Sequence, residues 1–129
     1  MKTQQTFPHS LSDGTVRLFN DQGFVVTPDV FARAELLTLG AAVDDEVARR
    51  SAHDTREVSA KSTYEQSFVQ CMRLWETSNT VREFICDGRL AGMAAQLLRV
   101  PSVRLWQDQA LYKESGGRET DPHQDQTFW

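Results

Sequence analysis

Cysteine is scarce in this sequence, where only Cys71 and Cys86 occur and form no Cys-x-x-Cys pair. That spacing argues against a disulfide framework and against a metal site built from thiolates, and it favours reduced, buried thiols in a cytoplasmic protein. No apolar run approaches the roughly 20 residues of a membrane-spanning helix. Residues 1–5 also lack the apolar stretch of a signal peptide. These absences predict a cytoplasmic protein that has no membrane partner.

An excess of positive charge is absent as well. The formal net charge is −4 and the pI is near 5.3, and only Arg49 and Arg50 are adjacent among the scattered basic residues. Proteins that bind nucleic acids usually carry a basic face, so this balance argues against a nucleic-acid partner. The 129 residues suffice for one small domain with one core, and a composition of 40% hydrophobic and 25% charged residues is that of an ordinary globular protein.

Four helices are predicted in the first hundred residues, because capping residues begin them and glycine or proline ends them. Their expected ranges are about 12–21, 27–49, 81–87 and 89–99. The second has an apolar stripe at helical spacing, formed by Val30, Ala34, Leu37 and Ala41. A short strand is expected at 24–26 and an exposed loop at 51–62. Residues 68–75 are apolar without a helical period, so they form either a strand or an irregular crossover.

From Ser102 the pattern changes to a period of two, which is typical of a strand. One face would carry Val103, Leu105, Gln107, Gln109 and Leu111, and the other would carry Arg104, Trp106, Asp108, Ala110 and Tyr112. A face that begins apolar and then carries two glutamines suits a cavity where amides meet a polar ligand, and it equally suits a half-exposed strand. The expected order is therefore helices first, with strands beginning only near residue 102.

The last seven residues contain the sharpest chemical signal, a His-x-Asp pair formed by His123 and Asp125. Residues two apart on a strand point the same way, so an imidazole and a carboxylate in this pattern can reach one metal ion. With a distant second histidine they would form the facial triad of non-haem Fe(II) oxygenases. Such pairs often arise by chance, and an exposed turn without a ligand is the simpler interpretation of the pair taken alone.

Several stretches together resemble the phytanoyl-CoA dioxygenase family. They are residues 20–26 (NDQGFVV), 90–98 (LAGMAAQLL), 103–113 (VRLWQDQALYK), the pair Gly116 and Gly117, and 123–129 (HQDQTFW). The resemblance implies an α+β fold in which N-terminal helices pack on the first strands of a double-stranded β-helix, a cupin-like jelly roll. Residues 1–129 would be the N-terminal part of one such domain, with a helical region over about 10–100 and the first core strands over about 102–129.

The resemblance also implies Fe(II) and 2-oxoglutarate as cofactors, with hydroxylation of an aliphatic carbon of a small-molecule substrate by O2 and release of succinate and CO2. By the family pattern, His123 and Asp125 would be the catalytic iron ligands. Gln109 matches a strand position that contacts 2-oxoglutarate in relatives. Lys113 matches a recurring family lysine that either contributes to the same cofactor site or only closes the following loop. The identity of the substrate does not follow from these motifs.

The family's second iron-binding histidine and its 2-oxoglutarate-binding arginine lie well beyond the His-x-Asp pair, whereas this sequence stops four residues after Asp125. We therefore expect an incomplete jelly roll that is inactive by itself and requires the missing C-terminal half as a partner. An alternative is a non-catalytic interaction module that is completed by strands from another chain. A zinc hydrolase built on His123 and Asp125 also fits the spacing, while a hydrolase using Cys71 lacks a nucleophile motif.

Overall fold

The structure is a computed structural model that describes residues 9–125. Its helices are α1 (Asp13–Gln22), α2 (Arg33–Ser51), α3 (Asn79–Ile85) and α4 (Gly88–Leu98), and its strands are β1 (Val69–Met72) and β2 (Gln109–Tyr112). Short 3-10 turns lie at Val58–Ala60 and Leu74–Glu76. These helices and one small antiparallel sheet form an α+β architecture. None of the described helices combines the length and the apolar character needed to cross a membrane.

The bounds predicted for the first helix are confirmed, because local signals set them. The hydroxyl of Ser12 accepts a hydrogen bond from the Thr15 backbone at 3.1 Å. At the other end, Gly23 has a φ of 81°, and its N–H donates to the Phe19 carbonyl at 2.8 Å. The Gln96 side chain on α4 accepts from the Leu11 N–H at 2.9 Å, which anchors the segment before α1 against α4.

Helix α2 begins at Arg33, several residues after the predicted start at Thr27, and residues 24–26 form no strand. Asp29 has a φ of 57°, so the helical path is interrupted there. Arg89 at the start of α4 then holds the following segment. Its guanidinium lies 4.1 Å from the centre of the Phe31 ring and donates to the Val30 carbonyl at 3.2 Å. The Glu35 carboxylate accepts from the Ala32 N–H at 2.7 Å, so a local cap and the contact from α4 meet where α2 begins.

The apolar stripe predicted for α2 is also wrong, since Leu37 in that stripe is 64% exposed. The side of α2 that packs inward instead carries Leu39, Val43 and Val47. Both stripes have helical spacing, so the pattern alone cannot distinguish them. Packing of α2 against α3 and β1 selects the second stripe.

The first strand lies much earlier than residue 102, so the expectation that strands begin only there is wrong. The stretch 68–75, for which a strand and a crossover were both open, contains β1, and β1 pairs antiparallel with β2 so that Cys71 lies opposite Ala110. Residues 102–108, predicted to be extended strand, are not part of the sheet. A strand is stabilised by its partner, and here only four residues of each chain segment find one.

The core lies between α2, α3 and one face of the sheet. Its buried members are Val47, Cys71, Leu74 and Val81, and Ala110 and Tyr112 of β2 pack against them. The opposite face of the sheet carries Gln70, Met72, Gln109 and Leu111, of which Leu111 is 50% exposed. Both cysteines have free thiols; Cys71 is buried as predicted, but Cys86 is exposed, which corrects the expectation that both are buried.

Hydrogen bonds made by Asp108 and Arg50 hold the backbone at the end of β1 in place. The Asp108 carboxylate accepts from the Leu74 N–H at 3.0 Å and from the Trp75 N–H at 3.5 Å, while its carbonyl accepts from Arg73 at 2.8 Å. Arg73 has a φ of 57°, and the Arg50 guanidinium donates to its carbonyl at 3.1 Å. These bonds link α2, the turn after β1 and the residue that immediately precedes β2.

Candidate functional site

His123 and Asp125 lie side by side, with 3.3 Å between Nε2 of the imidazole and Oδ1 of the carboxylate. Two donors that sit about 2.1 Å from one metal ion, at a right angle to each other, are about 3 Å apart. The observed separation therefore suits two neighbouring positions on a single ion. Both side chains are exposed, so an ion has access from solvent. Without a metal, the pair forms an ion pair whenever His123 is protonated.

The other ring nitrogen of His123 is oriented by the backbone. Nδ1 lies 2.8 Å from the Asp121 carbonyl oxygen, which is an acceptor only, so in the neutral ring Nδ1 carries the proton and donates it. Nε2 is then the ring nitrogen whose lone pair is available to a metal ion. Metal-binding histidines commonly have this arrangement, in which a backbone carbonyl fixes the tautomer and the ring orientation.

The local backbone around the pair differs from the prediction in part. The resemblance implies core strands over about 102–129, but residues 121–125 form no strand, and residues 126–129 lie outside those that the structure describes. Within residues 9–125, no group of three or more His, Cys, Asp and Glu side chains is arranged to hold a metal ion. The described part of the chain thus assembles two candidate ligands.

Gln109 lies on the exposed face of the sheet, at the start of β2. Its side-chain oxygen accepts from the Gln70 amide at 2.7 Å, and the Gln70 oxygen accepts from the Tyr64 hydroxyl at 2.9 Å. This series leaves the Gln109 amide nitrogen as a donor on the open face. The sequence reasoning missed Gln70 and Tyr64; the available signal was an amide within the apolar stretch 68–75.

Lys113 follows β2 directly, and its ammonium group bonds within the next loop. Nζ donates to the Arg118 carbonyl at 2.6 Å and to the Thr120 hydroxyl at 3.3 Å. Of the two roles that the sequence left open, these bonds correspond to closing the loop. The structure thus brings His123 and Asp125 together, whereas the side chains of Gln109 and Lys113 bond to other partners.

A charged network lies beside this loop. Arg56 donates to Asp54 at 2.7 Å and to Glu65 at 2.7 Å, and these hydrogen bonds hold the pKa of each carboxyl at about 2. The carboxylates therefore stay ionised throughout the neutral range. Lys61, whose side chain is 8% exposed, adds ion pairs with Asp54 at 3.8 Å and with Glu114 at 3.4 Å. The network joins the segment before β1 to the loop after β2.

Comparison with known proteins identifies one matching family. The family model described as phytanoyl-CoA dioxygenase (PhyH) matches residues 19–129, which include the whole sheet and the His123–Asp125 pair. The comparisons with curated proteins and with solved structures give no match.

Proposed function

Since this chain belongs to the phytanoyl-CoA dioxygenase family, we propose that it acts as an Fe(II)- and 2-oxoglutarate-dependent dioxygenase. The reaction would hydroxylate an aliphatic carbon of a small organic substrate and convert 2-oxoglutarate and O2 into succinate and CO2. The observation that supports this proposal most directly is the 3.3 Å separation between His123 Nε2 and Asp125 Oδ1.

The chemistry of the donor set fits Fe(II). An imidazole nitrogen and a carboxylate oxygen are two of the three ligands of the facial triad that leaves coordination positions open for co-substrate and oxygen. Both must offer lone pairs, so His123 is neutral and Asp125 ionised when they hold the ion. When bound, iron and 2-oxoglutarate supply the oxidising chemistry, and the protein's share is to bind and orient the reactants.

The roles of the remaining site residues follow from their positions. We propose that the exposed Gln109 amide nitrogen donates to a 2-oxoglutarate oxygen, because Gln70 already satisfies the Gln109 side-chain oxygen. Lys113 belongs to the same cofactor site, either by a direct contact or through the loop that it closes. His123 and Asp125 are the proposed catalytic metal ligands.

We further propose that residues 1–129 form the N-terminal part of a jelly-roll domain and that the protein is cytoplasmic. The exposed sheet face, which carries Met72 and Leu111, supports the first proposal, since a jelly roll covers such a face with further strands. The free thiols of Cys71 and Cys86 support the second.

The 129-residue chain by itself is expected to release no succinate from 2-oxoglutarate. Residues 9–125 bring two metal ligands together, and two ligands hold an iron ion more weakly than three. The measurement is succinate formation by the purified 129-residue chain with Fe(II), ascorbate and 2-oxoglutarate. Succinate above the level of a His123→Ala control would show that this set of residues suffices.

The proposed cofactor chemistry is tested by an anaerobic spectral titration of the complete gene product with Fe(II) and 2-oxoglutarate. We expect a visible charge-transfer band that appears only when both are present. The band should be lost in His123→Ala and kept in His53→Ala, because His53 lies far along the chain on an exposed loop. A band of equal strength in His123→Ala would exclude His123 as an iron ligand.

A second candidate is a non-catalytic interaction module whose sheet is completed by strands from another chain. It is favoured by the small size of the sheet, in which β1 and β2 are each an edge strand among the described residues, and by the exposed Met72 and Leu111, 39% and 50% accessible. The titration separates the two candidates, because this module predicts no band from a correctly folded protein.

A further inference from the structure

The loop formed by residues 113–120 leads from β2 to His123 and is closed by its first residue. The Lys113 ammonium reaches forward to the Arg118 carbonyl at 2.6 Å and to the Thr120 hydroxyl at 3.3 Å. Within the loop, the Gly117 N–H donates to the Glu114 carbonyl at 3.0 Å. Charged hydrogen bonds of this kind are stronger than neutral ones, so Lys113 draws the far end of the loop towards β2.

The same loop is seated on a second segment, the turn formed by residues 61–67 immediately before β1. Three contacts join them: Arg118 N to the Gln66 carbonyl at 2.9 Å, the Ser67 hydroxyl to the Glu119 carbonyl at 3.4 Å, and Lys61 Nζ to Glu114 at 3.4 Å. Because β1 and β2 are antiparallel, the residues before β1 and those after β2 lie at the same end of the sheet. The 61–67 turn is thus placed to receive the loop.

Internal hydrogen bonds make the 61–67 turn a firm support. The Gln66 side-chain amide donates to the Lys61 carbonyl at 2.8 Å, and its backbone N–H donates to the Ser62 carbonyl at 2.9 Å. Ser62 and Glu65 cap each other, with the Ser62 N–H donating to the Glu65 carboxylate at 2.9 Å and the Glu65 N–H to the Ser62 hydroxyl at 3.3 Å. All residues of the 61–67 turn lie within residues 9–125, which the structure describes.

Gly117 lies close to backbone atoms of both the loop and the turn. A Cβ placed on Gly117 would lie 3.1 Å from the Gln66 carbonyl oxygen and 3.0 Å from the Glu114 carbonyl oxygen. Both are backbone atoms, so a side chain here requires the backbone of the loop or of the turn to shift by a few tenths of an ångström. Glycine at this position therefore lets the loop lie against the turn without such a shift.

We propose that Lys113 is a positioning residue for the metal pair, acting through the 113–120 loop seated on the 61–67 turn, and that it makes no contact with the co-substrate. His123 follows Thr120 by only three residues, and its ring is oriented by the Asp121 carbonyl at 2.8 Å. The backbone that Lys113 fixes therefore sets the orientation of the imidazole relative to Asp125. This inference rests on the proposed function, since it takes His123 and Asp125 as metal ligands.

The test measures metal binding and co-substrate binding separately in the complete protein. Co(II), which absorbs visible light when bound, is titrated without 2-oxoglutarate, and 2-oxoglutarate is then titrated at saturating metal. We expect Lys113→Met to weaken Co(II) binding about tenfold and Lys113→Arg, which keeps a cationic donor, to restore it to within about threefold. The matched control is Arg104→Met, which removes an exposed cationic side chain outside the loop and should leave both affinities unchanged.

Gly117→Ala provides a second test that leaves Lys113 intact. It should also weaken Co(II) binding, because the added methyl group shifts the backbone of the loop against the turn, while circular dichroism shows a native fold. If Lys113→Met binds Co(II) as the parent does but loses affinity for 2-oxoglutarate, Lys113 is a co-substrate ligand and the inference is overturned. If the parent protein itself binds no Co(II), the proposed metal site is wrong, and the positioning role is overturned with it.

Discussion

A Leu74→Ala variant is expected to unfold with a free energy about 2–5 kcal/mol lower than the parent chain, the usual cost of removing a large side chain from a packed core. Leu74 is 1% exposed and lies between β1 and α3, in contact with the cluster of Val47, Cys71 and Val81. Its deletion leaves a cavity where three elements meet. Urea denaturation followed by tryptophan fluorescence measures the difference.

Leu37→Ala is the matched control, because Leu37 on α2 is 64% exposed. Its free energy of unfolding should change by less than about 0.5 kcal/mol. If Leu74→Ala proves too unstable to purify, Leu74→Met tests the same site, since a swap that conserves volume costs less than about 1.5 kcal/mol. Equal losses of unfolding free energy in Leu74→Ala and Leu37→Ala would contradict the core described above. They would instead support the apolar stripe that the sequence predicted for α2, which contains Leu37.

An Asp108→Ala variant is expected to lose about 1–3 kcal/mol of stability, because a buried N–H group without a partner carries that cost. The Asp108 carboxylate accepts from the backbone of Leu74 and Trp75 and so holds the turn that follows β1. Asp108→Asn keeps one acceptor oxygen and should fall between the parent and the alanine variant. Amide hydrogen exchange at Leu74 should accelerate in the same order.

Asp45→Ala is the control for this series, since Asp45 is exposed on α2. Its effect should stay within about 0.5 kcal/mol. A stability unchanged by Asp108→Ala would mean that the turn after β1 does not depend on this carboxylate. Asp108 directly precedes Gln109. Under the proposed function, loss of the hydrogen bonds from the Leu74 and Trp75 N–H groups to the Asp108 carboxylate should therefore also reduce 2-oxoglutarate affinity.

The motifs around Asp108 show how sequence and structure contribute differently. The resemblance to the family is carried by residues 103–113 and 123–129, and the family match over residues 19–129 confirms it. That resemblance assigned Gln109 to a cofactor contact but said nothing about Asp108. The hydrogen bond from the Leu74 N–H to the Asp108 carboxylate joins residues 34 positions apart, and no periodicity within one segment reveals such a bond.

The roles proposed for His123, Asp125, Gln109 and Lys113 came from the sequence, and they stay predictions. The structure adds the partners of each side chain: Asp121 for the His123 ring, Gln70 for Gln109, and Arg118 with Thr120 for Lys113. The contact between Lys113 and the loop is local, only five and seven residues along the chain. The sequence left this loop-closing role open beside a cofactor contact, because a lysine can extend in many directions, and only the folded loop selects one.

The sequence by itself determined the helices whose ends are set within one turn. Ser12 and Gly23 bound α1, and α4 ends before Pro101 as predicted, because caps act through hydrogen bonds over three or four residues. The tertiary structure decided the features that need contacts between distant segments. Pairing of β1 with β2 across some forty residues selected Ala110 and Tyr112 for the core, and Arg89 holds the segment before α2 against α4. These features depend on contacts between segments that are distant in the sequence. Such contacts stabilise the fold only once the segments have come together.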